Sequence, residues 1–302
     1  MALITTGSNP KAMWPGINAW FGTSYTEHRE QWPELFSKET SEMAWEEDVL
    51  AAGFGLAQVK PQGQPITYDD ELQGYIARYT HVVYALGFIV SWEEQLNNLY
   101  EVVGKRRAQR LAFSMRQTKE WVCANVYNRA FSGSYVGGDA VCLCSASHPT
   151  SSGLQSNVPT TAVDLCETGI EDLMVMVMTA KNDKGHPIGL IAQKLVVPPQ
   201  LFYEANRILQ SVLQNDSALN AINALRATGA LTEGIKVNNY LTDADNYFIR
   251  TNCPDGAKLF QRYPMTFDED NDFDTKNAKY AAIDYYSVGW SDWRTVYGSQ
   301  PA

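Results

Sequence analysis

Two short clusters of residues have the types and spacing for metal chemistry. The first contains Cys142, Cys144 and His148. Two cysteines at positions i and i+2 of a strand point to one face, and thiolate and imidazole are ligands that zinc prefers. A closed zinc site needs a fourth ligand, and the sequence has no second paired cluster. We therefore interpret these cysteines as buried structural thiols and keep a zinc-dependent enzyme as the alternative.

The second cluster consists of Asp268, Asp270 and Asp272, which alternate as at the start of a calcium-binding loop. Such a loop has glycine at its sixth position and a bidentate glutamate at its twelfth. Here those positions are Phe273 and Lys279. The pattern therefore favours a solvated acidic loop over a cation site.

The sequence carries no set of residues that suggests a nucleophile with a base. It lacks a phosphate-binding P-loop, a zinc-protease HExxH motif, a GxSxG elbow and a complete GxGxxG fingerprint. We therefore predict a protein that is not an enzyme, with no cofactor and no bound metal.

The composition of the chain further limits the class of protein that it can be. The chain has 302 residues, 45% of them hydrophobic, enough for one large domain or two smaller ones. Its net charge of −10 argues against bulk attraction to nucleic acid. The basic cluster Lys105-Arg106-Arg107 with Arg110 is interpreted as the solvated face of a helix. An odd number of cysteines and apolar runs too short to cross a bilayer predict a soluble protein made in a reducing cytoplasm.

The first structural segment of the chain, residues 1–50, is rich in aromatic residues. Its rings are spread among glycines and prolines without a helical or strand period. The segment is either a strap packed on its own domain or an arm whose rings anchor on a neighbouring subunit. The candidate anchors are Trp14, Trp20, Phe21, Tyr25 and Trp32.

A long hairpin follows in the sequence. Phe54–Lys60 predicts one strand and Tyr75–Tyr84 the returning strand, with a polar, turn-rich connection between them. Neither face of the returning strand is cleanly polar, and an isolated two-stranded hairpin is only marginally stable in water. We therefore expect this hairpin to pack on another protein surface. The candidate contact residues are Lys60, Ile66, Tyr68, Tyr75 and Tyr79.

The stretch Glu93–Phe131 predicts one very long helix, roughly 60 Å in length, because apolar residues recur close to the 3.6-residue period. A mixed α/β pattern comes after it. Strands are predicted at 140–144, 189–197, 240–249 and 280–290, and helices within 164–180 and after Pro198-Pro199.

Four short segments stand in a characteristic order in the second half of the chain. They are Ser145-Ala146-Ser147-His148-Pro149, Leu195-Val196-Val197-Pro198-Pro199-Gln200-Leu201, Tyr240-Leu241-Thr242-Asp243 leading through Cys253-Pro254-Asp255-Gly256 to Phe260, and Asp292-Trp293-Arg294 near Gly298. Together with the element order, they resemble the Hong Kong 97-type major capsid proteins of tailed bacteriophages, and most of all the Mu-like major head subunits.

The resemblance implies an α+β fold divided into four parts. Residues 1–50 would be an N-terminal arm and 51–90 an extended hairpin loop. Residues 91–139 and 271–302 would form a peripheral domain with a spine helix, and 140–270 an axial α/β domain. The arm would clamp neighbours, the hairpin would lie over the adjacent subunit, and the axial domain would meet its copies around the capsomer axis.

The implied function is structural. Hexameric and pentameric capsomers of this chain would form an icosahedral shell around double-stranded DNA, held without sequence specificity. A separate scaffolding protein, a portal and a decoration protein are the expected partners, with no membrane involved. The subunit would be found in the virion, and in the host cytoplasm during assembly. Some members cross-link a hairpin lysine to a neighbour's asparagine, but only Lys60 can be matched, so no cross-link is predicted.

Three alternatives stay open at the level of sequence. An encapsulin-type compartment would share the fold and differ by an enclosed cargo enzyme. The zinc-dependent enzyme would rest on Cys142, Cys144 and His148. A carbohydrate-binding or tail-associated protein would bind glycan as a stable monomer.

Overall fold

The computed structural model describes residues 21–22, 29–51, 53–71, 73–97, 100–214, 221–272, 274 and 276–301. The strands are β1 (Ser37–Thr40), β2 (Trp45–Ala51), β3 (Gln73–Thr80), β4 (Val82–Val90), β5 (His148–Thr150), β6 (Gly153–Gln155), β7 (Ala192–Val197), β8 (Gly234–Val237), β9 (Tyr247–Thr251), β10 (Ala257–Asn271), β11 (Ala278–Trp290) and β12 (Val296–Ser299). The helices are α1 (Trp92–Leu96), α2 (Tyr100–Asn128), α3 (Glu167–Met178), α4 (Phe202–Gln210) and α5 (Ala224–Thr228).

The first of two bodies, called here the helix–sheet body, joins α2 to a four-stranded sheet of order β1-β10-β11-β4. β10 and β11 form a long antiparallel pair, and β4 runs antiparallel to β11 with Tyr280 opposite Phe88. Alternate residues of β11 are buried, among them Tyr280, Ala282 and Tyr286, as expected for a strand with one covered face. The long strand predicted at 280–290 is therefore confirmed.

Helix α2 packs on this sheet. Its buried residues recur three or four positions apart, which places them along one face. They include Ala108, Leu111, Ala112, Met115, Cys123 and Tyr127. The continuous helix predicted at Glu93–Phe131 is divided, since α1 ends at Leu96 and α2 begins at Tyr100. The interruption includes Asn97, a residue type whose side chain competes with the helix backbone for hydrogen bonds. At 29 residues, α2 is about 44 Å long.

The second body is built on a mixed sheet of order β12-β9-β7-β8, covered by helices. Its core brings together Ile170, Leu173 and Val177 of α3, Leu195 and Val197 of β7, and Ala205 and Ile208 of α4. Pro199 opens a single 3-10 turn that leads into α4, because proline suits the first turn of a helix. The helices predicted within 164–180 and after Pro198-Pro199 are confirmed.

One apolar cluster joins the two bodies. Tyr127 of α2 meets Phe248 of β9 edge to face, with ring centroids 5.3 Å apart. Val196 of β7, Leu259 of β10 and Tyr286 of β11 belong to the same cluster. The long helix is therefore packed against both sheets at once.

Several predictions of strands were wrong. Residues 54–60 and 140–144 contain no strand, and the strand predicted at 240–249 is restricted to β9, which begins at Tyr247. The acidic loop predicted around Asp268 and Asp270 is instead the end of β10, with Asp268 opposite Ala281. Two register shifts, between Gln261 and Thr266, break the alternation of β10 and hide the strand from a period-2 search.

No helix among the described residues combines the length and the apolar character that a membrane span requires.

Candidate assembly interface

Residues 29–41 form a strap that is bound to both bodies. Trp32 is buried, and the ammonium group of Lys119 lies 5.2 Å from its ring centroid. The Glu34 carboxylate pairs with Lys194 at 3.3 Å and Lys236 at 3.2 Å. Burial opposes ionisation of Glu34, but hydrogen bonds from Lys236 and Lys194 hold its pKa below the ordinary value. The strap is thus fixed to the sheet of the second body by a shared carboxylate.

The aromatic anchors predicted in the N-terminal segment divide into two groups. Trp14, Trp20 and Tyr25 lie outside the described residues. Phe21 is buried and stacks on Phe267 with ring centroids 4.5 Å apart. Phe21 and Trp32 therefore pack within their own chain, as in the alternative of a strap on its own domain, and present little surface to a neighbour.

Two tyrosines attach the hairpin of β2 and β3 to the rest of the subunit. The Tyr79 ring meets Phe260 with centroids 4.8 Å apart, and its hydroxyl lies 2.6 Å from Ser291 Oγ. The Tyr75 hydroxyl donates to the Pro149 carbonyl at 2.8 Å. Tyr75 and Tyr79, predicted as contact residues, thus attach the hairpin to its own subunit.

A buried lysine fixes the root of the hairpin. Lys258 Nζ of β10 lies 2.7 Å from Asp48 of β2, 2.9 Å from Asp255 and 3.5 Å from Glu39 of β1. Burial disfavours the charged ammonium, but the hydrogen bonds to Asp48 and Asp255 outweigh it and raise the pKa of Lys258. Hairpin, strap and sheet are therefore held at one point.

His81 stands between β3 and β4, where the chain passes from the hairpin into the sheet. Its Nε2 lies 2.9 Å from Ser41 Oγ and its Nδ1 lies 2.9 Å from Ser287 Oγ. Because the Ser41 hydroxyl donates to Glu46, Nε2 carries the proton and Nδ1 accepts from Ser287. Burial, assisted by Arg262 and opposed by Glu46, lowers the pKa of His81.

We expect this buried histidine to make stability depend on pH. Below about 6.5, the ordinary histidine value, the unfolded chain takes up a proton that folded His81 resists. The contribution is thus fully present above that pH and is lost as the pH falls toward the lowered pKa. Urea unfolding between pH 5 and pH 8 measures it. His81→Gln should flatten the curve, whereas His186→Gln should leave the slope in place. An unchanged slope in His81→Gln would contradict the assignment.

The loop of residues 53–71, called here the projecting loop, has the most exposed apolar side chains of the described chain. Val59 is 94% exposed and Tyr68 is 90% exposed, with Phe54, Leu56 and Ile66 above 60%. Lys60 is also exposed. Apolar side chains concentrated on a surface mark a site of interaction. Of the predicted contact residues, Lys60, Ile66 and Tyr68 are therefore available to a neighbour.

The Asp69 carboxylate joins the two ends of the projecting loop and attaches them to the second body. Asp69 Oδ2 lies 2.8 Å from Lys184 Nζ of the second body and accepts a hydrogen bond of 2.5 Å from the Gly55 amide. The hydrogen bond from Lys184, followed by that from Gly55, lowers the pKa of Asp69 to about 2. The Asp69 carboxylate is therefore charged at neutral pH and can accept both hydrogen bonds there.

The second body exposes a further apolar surface that sequence analysis missed. Tyr203 and Ile222 are each 73% exposed, and Val212 is 66% exposed. Leu213 and Ile222 form an isolated antiparallel bridge beside the end of α4. A signal was present in the sequence, because consecutive Phe202 and Tyr203 at the start of a helix cannot both face the core.

The cluster considered for zinc is a hydrogen-bonded network. His148 is fully buried and stacks on Trp293, with Nδ1 2.6 Å from Asp139 and Nε2 3.2 Å from Asn157 Oδ1. Both ring nitrogens therefore have other partners. Burial raises the pKa of Cys144 well above its usual value, which disfavours the thiolate that zinc binds. The described residues contain no group of three His, Cys, Asp or Glu side chains placed to hold a metal ion.

Asn157 joins three chain segments in this network, so replacing it should be costly. Its Nδ2 donates to the Leu143 and Val296 carbonyls at 2.7 Å and 2.8 Å, and its Oδ1 accepts from the Ser145 amide at 2.8 Å. We expect Asn157→Ala to lower the free energy of unfolding by about 3 kcal/mol, because buried backbone groups lose their partners. Asn206→Ala, which removes an exposed bond to Phe202, is the matched control and should cost under about 1 kcal/mol. Equal losses in urea unfolding would contradict the role given to Asn157.

The chain combines a projecting loop, a long helix on a four-stranded sheet and a second α/β body. This combination defines the class of protein, which is that of the Hong Kong 97-type capsid fold. The structure is similar to the capsid of a native GTA particle (TM-score 0.55, 12% identity, 89% of each chain covered). It is also similar to the procapsid of bacteriophage JBD30 (TM-score 0.52, 10% identity, 99% of this chain and 77% of that chain). A third similar structure is the virus-like particle from Pyrococcus furiosus (TM-score 0.51, 9% identity, 94% and 98% coverage).

The family is given by the sequence itself. Residues 75–299 match the model of the Phage capsid protein family, and the chain belongs to that family. A search of curated proteins found no match. The protein is thus a major capsid structural protein, located in the shell of the virion, and its family and fold are those of a structural protein.

Proposed function

We propose that this chain is the major head subunit of a Mu-like tailed phage. Copies would associate into hexamers and pentamers and close into an icosahedral shell that encloses double-stranded DNA without sequence specificity. The observation that carries the proposal is the projecting loop, whose apolar side chains are exposed although the chain has a core of its own in which to bury such groups. An acidic subunit suits a container, because it does not attract the duplex to its wall in bulk.

The four predicted parts have assigned roles in this proposal. Residues 1–50 would be the arm, 51–90 the extended loop, 91–139 with 271–302 the peripheral domain, and 140–270 the axial domain. The two ends of the proposed peripheral domain meet in the helix–sheet body, where α2 packs on β11. The exposed surface around Tyr203 and Ile222 would face the capsomer axis. Trp14, Trp20 and Tyr25 would be the arm residues that reach a neighbour.

Further partners follow from the same proposal. A separate scaffolding protein would guide assembly in the host cytoplasm, a portal would occupy one vertex, and a decoration protein would bind the outside. No catalytic residue or resident metal is assigned, because the cysteine and histidine cluster considered for zinc is engaged in internal hydrogen bonds.

An encapsulin-type compartment is the second candidate, favoured by the similarity to the virus-like particle from Pyrococcus furiosus. The two candidates predict different contents. A phage head encloses DNA, whereas a compartment of this kind encloses a cargo enzyme. Particles purified from the native source are treated with nuclease, which digests DNA outside the shell. They should retain DNA if the proposal is correct.

The test of assembly is negative-stain electron microscopy with light scattering on the purified chain, alone and with any scaffolding protein encoded beside it. We expect closed shells, or hexamers and pentamers. A chain lacking residues 1–20, which keeps the packed residues Phe21, Trp32 and Phe36, should form no regular shells. A monodisperse monomer under both conditions would overturn the proposal.

A further inference from the structure

Helix α2 has a second face, on the side away from the residues that it buries against the sheet. Five residues recur along this face three or four positions apart and form one stripe, called here the α2 stripe, about 22 Å long. They are Arg106, Arg110, Phe113, Gln117 and Trp121, and all but the half-buried Gln117 are exposed. A helix that packs on a single sheet needs only one apolar face, so the large rings of this stripe serve no packing in the core.

The first part of the α2 stripe is basic. Residues 105–119 include six of the chain's 24 lysines and arginines and no aspartate or glutamate, although the whole chain has a net charge of −10. Arg107 pairs with Glu94 at 2.9 Å. Arg106 and Arg110, which stand one turn apart beside a shallow groove, form no ion pair with any side chain that the structure describes. This end of the helix is therefore a local site for an anionic partner on an acidic subunit.

The second part of the α2 stripe is aromatic. Phe113 is 43% exposed and Trp121 is 40% exposed. The Trp121 ring meets Tyr240 edge to face with centroids 5.7 Å apart, and the Tyr240 carbonyl accepts from Asn128 Nδ2 at 3.1 Å. Arginine and tryptophan are the residue types that contribute most to protein interfaces, and a ring that is already held in place loses little entropy on binding.

The order of residues along the stripe favours a protein helix over the DNA duplex as the partner. A phosphate backbone would require cations along the whole stripe, but Phe113, Gln117 and Trp121 supply none. An amphipathic helix laid along α2 presents its own side chains at the same three- and four-residue spacing. A helix with carboxylates at one end and apolar residues along the rest would complement the stripe over its full length.

We infer that the α2 stripe docks an acidic, amphipathic helix of the scaffolding partner. The inference rests on the proposed function, in which a separate scaffolding protein guides assembly, and it names the surface of the subunit that this protein binds. Carboxylates of the partner would pair with Arg106 and Arg110, and its apolar residues would cover Phe113 and Trp121. A contact of one helix that is in part ionic is weakened by salt, so the scaffolding protein can leave once the shell has closed.

The affinity of the unassembled subunit for the full-length scaffolding protein encoded beside it, measured at low and at high salt, tests the docking. Arg106→Glu combined with Arg110→Glu should weaken binding at least about 10-fold at low salt and much less at high salt, because salt screens exposed charges. Phe113→Ser combined with Trp121→Ser should weaken it about 10-fold at both. Arg106→Lys combined with Arg110→Lys keeps the charge and is the matched control, which should retain most of the affinity. Urea unfolding of each variant confirms that the subunit still folds.

The results that would overturn the inference are distinct from those that would remove the proposed function. Affinity for the scaffolding protein that is unchanged in both the glutamate and the serine variants would overturn the docking while the shell function stands. A short DNA duplex is tested alongside, and loss of duplex binding alone in the glutamate variant would assign the stripe to DNA instead. Self-association of the subunit that the same substitutions abolish would assign it to a second copy, and the docking would fall. Failure of the unaltered chain to assemble, alone and with the scaffolding protein, would remove the shell function itself.

Discussion

Replacing Arg294 with methionine is expected to lower the free energy of unfolding of the subunit by about 3–5 kcal/mol. Arg294 is only 3% exposed. Its Nη2 lies 2.6 Å from Asp183, its Nη1 lies 3.3 Å from Asp292, and its Nε donates to the Lys181 carbonyl at 2.9 Å. Methionine would fill much of the volume but leave two buried carboxylates without a cation. Urea unfolding of the unassembled subunit measures the loss.

The matched control is Arg29→Met. Arg29 also pairs with a carboxylate, Glu34, at 3.1 Å, but its side chain is 81% exposed, and pairs of this kind contribute at most about 1 kcal/mol. Adding Asp183→Asn to Arg294→Met should recover part of the loss, because one unpaired charge is removed. A loss below about 1 kcal/mol for Arg294→Met would show that the carboxylates find other partners.

The second large effect is expected on assembly rather than on stability. Replacing the five exposed apolar residues of the projecting loop with serine should abolish closed particles. The five residues are Phe54, Leu56, Val59, Ile66 and Tyr68. The free energy of unfolding of the monomer should change by no more than about 0.5 kcal/mol per site, because these side chains contribute nothing to the core. Electron microscopy and urea unfolding on the same preparations separate the two effects.

A loop with its polar residues replaced by serine is the control for this experiment. Gln58, Gln62, Gln64 and Thr67 are exposed in the same segment. That variant should assemble, since it keeps every apolar contact. Particles from the apolar-to-serine variant would rule out the loop as an assembly surface.

The elements that the sequence predicts well are those with an unbroken period and a single covered face. β11 alternates from Ala278 to Tyr286 because α2 covers one side, and α3 repeats Ile170, Leu173 and Val177 at helical spacing. β10 escaped prediction because its register shifts interrupt the alternation and its far end carries Asp268 and Asp270. A search for periodicity considers each strand alone, whereas the extent of β10 depends on its pairing with β11.

The residues of the candidate interface were predictable only in part, because residue type alone does not show what a side chain packs against. Residue type showed that Ile66 and Tyr68 in a turn-rich connection had no core nearby, and they are exposed. It could not show that Trp32 and Tyr79 are buried against α2 and Phe260, because aromatic residues suit a core and an interface equally. His148 required the fold as well, since its partners Asp139 and Asn157 meet it only in three dimensions.

The apolar cluster that joins the two bodies has a mechanical consequence. Tyr127, Phe248 and Tyr286 belong to one continuous packed interior, so neither sheet can rotate against the other without opening a cavity. Under an outward load, the subunit would behave as a stiff plate, and the strain would be taken up by the projecting loop. A wall built from such plates changes its radius by bending at the seams while each plate keeps its shape.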